Sequence, residues 1–181
     1  MDIRERVVYD RMNRSKNDYL TLQDHLERYI YAMKYIYGRC VHDVASGTGY
    51  GSWLMSLGAS KVVMVDKSEE ALEYGNWLRF ACPTKKIVVD LDKRPVHAKG
   101  DVLVTFETIE HLEKPELFLS KSKCSEIIFS VPIDHPGDED YHKQIFRTEH
   151  QVLELLRDCG WKIEDTWYQN KKYLIGRGKR A

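Results

Sequence analysis

The residues ASGTGYG at positions 45–51 restrict this chain more than any other stretch, because they join a β-rich run beginning at Val41 to the helix-forming run WLMSLG. Glycine lets the backbone take positive φ and approach a ligand closely. A helix that starts directly after such a turn offers unpaired backbone N–H groups at its first residues. The same order then repeats. KVVMVDKS (61–68) reads as a strand, and EEALEYGNWLRFA (69–81) reads as a helix that Cys82-Pro83 stops. Strand, helix, strand, helix commits a chain to a parallel sheet with helices on its faces.

Three more strands follow at KKIVVDLD (85–92), DVLVTFE (101–107) and EIIFSVP (126–132). Their continuous Val and Ile character suits burial on both faces. KRPVHAKG, between the third and fourth strands, is shorter than the ten to twelve or so residues a crossover with its own helix needs, which predicts a loop. EHQVLELLRDCG (149–160) is a helix with a glycine stop, and WKIEDTWYQN followed at once by KKYLIGRGK reads as a closing hairpin. Upstream, Tyr19, Leu22, Leu26, Tyr29, Ile30, Met33, Ile36 and Tyr37 recur at three- and four-residue steps, predicting a helix over 16–38. The expected fold is α/β: a Rossmann-like, doubly wound, mostly parallel seven-stranded sheet with a C-terminal antiparallel hairpin. A chain of 181 residues suits a single domain over 1–181, with 1–40 as an N-terminal helical lid region.

Lys and Arg total 28 against 28 Asp and Glu, so no global field draws the chain to a polyanion or a membrane. Arg4, Arg6, Arg11, Arg14 and Lys16 near the start, and Lys171, Lys172, Arg177, Lys179 and Arg180 near the end, read as solvated ends. Cys40, Cys82, Cys124 and Cys159 form no CxxC pair, which suits buried, reduced thiols. With no leader and no long apolar span, a cytoplasmic location without membrane contact is expected.

Ligands in open α/β sheets bind beyond the carboxyl ends of the strands. Asp66 ends the second strand about twenty residues past the turn, where a carboxylate can accept both hydroxyls of a ribose. Asp90, after the third strand, is placed to meet an adenine edge. The competing reading makes Asp66 a cap for the following helix. A dinucleotide oxidoreductase is disfavoured because the turn lacks GxGxxG phasing.

The segments HDVASGTGYGSWLM, VVMVDKS and FETIEHLEKPELFL resemble the successive motifs of class I S-adenosylmethionine-dependent methyltransferases, over residues 24–160. The resemblance implies S-adenosyl-L-methionine as cofactor. It places Asp43, Ala45, Ser46, Gly47 and Gly49 at its methionine part, Asp66 and Lys67 at the ribose, Asp90 and Leu91 at the adenine, and Phe106 beside them. Ala45 stands where glycine is commoner. HLERYIYA (25–32) is similar to the HxxRY pattern of members that act on sugars and hydroxylated metabolites, which makes His25, Arg28 and Tyr29 a lid over cofactor or substrate. The alternative is an amphipathic helix in which Tyr29 packs and Arg28 faces water.

Methyl transfer to a hydroxyl needs an aligned nucleophile and a proton acceptor. Glu107, Glu110 and His111 stand where that acceptor should be, and a helical turn beginning at Glu107 would put all three on one face. With His142 as a fourth ligand they could hold Mg2+ or Mn2+, as the resemblance to metal-dependent O-methyltransferases suggests. His111 alone as base, or a positioning role, are the other readings. The expected function is O-methylation of a small hydroxylated, sugar-containing or glycan acceptor, which a second copy of the chain could help to bind. The alternatives are methylation of a nucleic-acid terminal ribose 2′-hydroxyl, using the basic tail with Trp161, Trp167 and Tyr168, and a catalytically inactive cofactor-binding scaffold.

Overall fold

Runs of Val and Ile that no water touches form the middle of the molecule in the computed structural model, which describes residues 16–94, 96–134 and 142–181. Helix α1 (Lys16–Met33) precedes β1 (Cys40–Val44), α2 (Tyr50–Ser56), β2 (Lys61–Asp66) and α3 (Glu69–Tyr74). Then come β3 (Thr84–Val88), β4 (Val102–Phe106), α4 (Pro115–Lys121), β5 (Glu126–Pro132), α5 (Glu149–Asp158), β6 (Trp161–Gln169) and β7 (Tyr173–Arg180).

One seven-stranded sheet results, in the order β3-β2-β1-β4-β5-β7-β6. The first five strands pair in parallel, and β7 is antiparallel to both β5 and β6. This is the expected doubly wound sheet with its closing hairpin. The hairpin turns on Asn170 and Lys171, both left-handed at φ 53° and 57°, a geometry whose twist matches that of the flanking strands. Alternate residues of the buried strands feed two apolar clusters, one on each face. Leu103, Ile127 and Phe129 belong to one, and Val102, Val104 and Ile128 to the other. No helix among the described residues is long and apolar enough to cross a membrane.

Three element ends differ from the sequence expectation. Helix α1 stops at Met33, and residues 34–39 continue in tight turns, with Tyr35 N–H donating to Ala32 O and Arg39 N–H to Ile36 O. Helix α3 gives way after Tyr74 to a 3-10 turn (Gly75–Trp77) and then to extended chain. Two contacts from α2 claim the backbone that would have continued the helix: the Trp53 indole donates to Arg79 O at 3.1 Å, and Ala81 N–H donates to Ser56 Oγ at 3.0 Å. Strand β3 ends at Val88, because Asp90 O accepts from the Lys93 and Arg94 amides and closes a turn. The loop that follows reaches β4 without a helix among its described residues, as its length requires.

The basic tail is only partly solvated: Lys171 is exposed, but others of the set are engaged. Arg177 and Lys179 pair with Glu164 at 2.7 and 2.9 Å, and Arg180 lies 4.0 Å over the Trp161 ring. Trp161 itself is buried, its indole donating to Leu119 O, so it offers no stacking surface. Arg4, Arg6, Arg11 and Arg14 lie outside the described residues. None of the four cysteines is disulfide-bonded; Cys124 and Cys159 are buried, whereas Cys40 and Cys82 are only half-buried.

Candidate functional site

The carboxyl ends of β1, β2 and β4 open on a cavity of about 380 Å³. Ala45, Ser46, Gly47, Asp66, Lys67, Asp90, Leu91 and Phe106 line it, together with His25, Tyr29, Glu107 and His111. Two residues of the proposed cofactor set, Asp43 and Gly49, stand behind its wall.

Ala45 and Gly47 both take left-handed φ, 60° and 56°, so the turn bends twice within three residues and lays its backbone along the cavity. Alanine holds a conformation that costs a non-glycine residue roughly 1–2 kcal/mol. Asp66 fixes the turn to β2: one carboxylate oxygen accepts from Gly47 N–H and the other from Ser68 N–H, both at 2.8 Å. The cap of α3 is Ser68, whose Oγ accepts from Ala71 N–H, and not Asp66. Asp90 accepts from Asp92 N–H and pairs with Lys93 at 3.2 Å, which shapes the loop around the far end of the cavity.

Beneath the turn, Asp43 is fully buried and accepts from the Ser52 hydroxyl. Burial pushes its carboxyl up to about 7, against the opposing hydrogen bond from Ser52, with nearby Asp66 adding to the rise. A carboxyl that keeps its proton in the folded state but has lost it in the unfolded state gives stability that is present below pH 3.8 and is lost as pH rises to about 7. Stability measured by urea unfolding is therefore expected to fall across that window in the wild type relative to Asp43→Asn, which has no such proton to lose. Parallel pH profiles for the two proteins would contradict the buried, protonated Asp43.

Helix α1 closes the cavity from above. Tyr29 packs edge-on to Phe106 and Tyr50, and a Cβ on Gly51 would fall inside the Tyr29 ring, so the last glycine of the turn makes room for that ring. His25 Nδ1 lies 2.7 Å from the Tyr50 hydroxyl. Burial, and secondarily the Arg28 charge, lower His25 to about 4, so it is neutral at physiological pH. Arg28 does not face water: it is 1% exposed, donates through Nε to Gln169 at 2.8 Å and lies 3.4 Å from Glu107.

Glu107, Glu110, His111 and His142 do not converge as a set of four. Glu107 has φ 48°, and its Oε1 accepts from Ser130 Oγ at 2.7 Å. The chain then runs as a 3-10 turn (Ile109–His111), so the three- and four-residue steps of an α-helix do not apply. Glu107 consequently turns toward Arg28, while ligand atoms of Glu110, His111 and His142 gather within 4.8 Å of one another. Glu110 is buried and His111 reaches the cavity. Tyr50, Ser130 and Gln169 were not expected at the site. Tyr50 alone had a signal, its place inside the glycine turn; the other two are brought there by the sheet.

The chain is similar to a probable S-adenosylmethionine-dependent methyltransferase of Mycolicibacterium smegmatis, at 29% identity over 144 residues, covering 71% of this chain and 54% of the relative. It thus spans about half the length of that curated relative. Among solved structures, the magnesium protoporphyrin IX methyltransferase of Synechocystis PCC 6803 with bound SAH superposes with a TM-score of 0.75 at 15% identity, over 96% of this chain and 91% of that one. The fold is that of the class I S-adenosylmethionine-dependent methyltransferases. A putative methyltransferase of Haloferax volcanii, in complex with the Trm112 methyltransferase activator, shares it at TM-score 0.73 and 13% identity, over 91% of this chain and 94% of that one. No family model matches the sequence.

Proposed function

We propose that the protein is an S-adenosylmethionine-dependent methyltransferase acting on a hydroxyl of a small, polar, hydroxylated or sugar-containing acceptor. The observation that carries this reading is that one cavity is lined both by the Ala45–Gly47–Asp66 turn and by the His111 imidazole. S-adenosylmethionine bound there would supply a methyl group on a positively charged sulfur. Asp66 and Asp90 would receive its ribose and adenine, and the backbone of 45–47 its methionine part. His25, Tyr50, Glu107 and His111 surround the remaining space with hydrogen-bonding groups, which suits an acceptor rich in hydroxyls more than a flat apolar one. His111, with a half-exposed ring, would take the acceptor's proton as the new bond to carbon forms. Helix α1 would exclude water through Tyr29. The activator complex of the Haloferax protein makes a methyltransferase activator a candidate partner as well.

A second reading rests on the Glu110, His111 and His142 cluster, which could hold a divalent ion. Two imidazoles with one carboxylate suit manganese better than magnesium, which prefers an all-oxygen shell.

Calorimetric titration tests both. S-adenosylhomocysteine is expected to bind with micromolar affinity, about −8 kcal/mol, whether or not a chelator is present. No heat of binding would remove the methyltransferase reading. A separate heat on adding manganese, lost in Glu110→Gln, would support the second reading, and its absence in the wild type would end it.

A further inference from the structure

Gln169 closes β6 at the tip of the C-terminal hairpin, and it is 2% exposed. Its amide is fully engaged. Oε1 accepts from Arg28 Nε at 2.8 Å, and Nε2 donates to Asp24 O at 3.0 Å and to Glu27 Oε2 at 2.9 Å. All three partners belong to α1, over 140 residues away in sequence. Among the described residues the guanidinium it holds has two further contacts: Tyr173, at the start of β7, stacks beneath it at 4.2 Å, and Nη1 approaches Glu107 at 3.4 Å without a hydrogen bond. Glu107 lines the cavity and Gln169 does not.

We infer that Gln169 is a positioning residue, which fixes Arg28 and through it the Glu107 carboxylate and the lid face of α1 against the cofactor cavity. The inference rests on the reading of that cavity as an S-adenosylmethionine site. A planar guanidinium turns freely about its stem unless an acceptor and a stacking face define its plane. Gln169 supplies the first and Tyr173 the second, and the three-residue turn between them is set by the paired left-handed residues Asn170 and Lys171. The hairpin tip is thereby a rigid clasp across the lid helix. Without it the pair between Arg28 and Glu107 loses its geometry, and the lid loses its anchor near Tyr29.

The test compares Gln169→Leu with Gln169→Glu, by S-adenosylhomocysteine calorimetry on the folded proteins. Hydrogen bonds to charged groups are strong enough that Gln169→Leu should weaken binding roughly tenfold. Gln169→Glu keeps an acceptor for Arg28 Nε and should recover to within about threefold of wild type. A role in stability alone would not give this rescue, because Gln169→Glu also loses the donors to Asp24 and Glu27. Wild-type affinity in Gln169→Leu, or equal losses in both variants, would overturn the inference. Should Gln169→Leu not fold, Tyr173→Leu should weaken binding while Tyr173→Phe, which keeps the ring, does not; equal affinity in these two overturns it. Hydrogen exchange separates this outcome from failure of the cofactor reading. If the wild type binds no S-adenosylhomocysteine, faster exchange at 107–111 and 24–33 in Gln169→Leu, reversed in Gln169→Glu, still supports the positioning role, and unchanged exchange overturns it.

Discussion

His111→Ala is expected to lower methyl transfer by about 10²–10⁴-fold, the usual contribution of a positioned general base, while S-adenosylhomocysteine affinity stays within about twofold. The two effects separate because His111 enters the cavity from the turn after β4, whereas the proposed cofactor contacts are made by the glycine turn and Asp66. An alkyl hydroxyl does not ionise near neutral pH, so an acceptor attacking without a base must lose its proton late and to water. The check is single-turnover transfer of labelled methyl to the acceptor, with cofactor binding measured alongside. Undiminished transfer in His111→Ala would remove the imidazole from the mechanism. A fall in cofactor affinity matching the fall in rate would make it a structural residue.

Arg28→Leu is expected to destabilise the fold by about 3 kcal/mol, at the lower end of the range for breaking a buried ion pair. The guanidinium is 1% exposed and Glu107 19%, so the orphaned carboxylate keeps partial access to water, which places the cost at that lower end. Gln169 Oε1 would also lose its donor in a buried position, and the Tyr173 ring its cation. Urea unfolding should show a lower midpoint with an unchanged slope. Arg157→Leu is the control: its pairs with Glu154 and Asp158 are exposed, and exposed pairs are worth under about 1 kcal/mol. Equal midpoints for the two variants would mean that Arg28 is not held as described.

Much of this was legible in the residues because it depends on local chemistry. Continuous Val and Ile runs at 61–66, 102–106 and 126–132 can be satisfied only between two layers of helices, so they read correctly as parallel strands. The glycine turn and Asp66 were found by their spacing, which the length of one strand and one helix fixes. Helix α3 was overextended for the opposite reason: nothing between 75 and 81 forbids a helix locally, and its end is set by Trp53 and Ser56 of another element. Glu107 lies outside the cluster of Glu110, His111 and His142, after a backbone angle that no periodicity predicts.

The sequence by itself determined the order of strands and helices, the place of the glycine turn and the residue types around it, since hydrophobic period and turn chemistry act over a few residues. Tertiary structure decided which charges meet. Arg28, read locally as a residue that could face water, lies buried between Glu107, Gln169 and Tyr173, drawn from the end of β4 and from both strands of the hairpin. Burying a guanidinium is tolerable only where an anion, an acceptor and a ring are already in place, and only the closed sheet brings those three together.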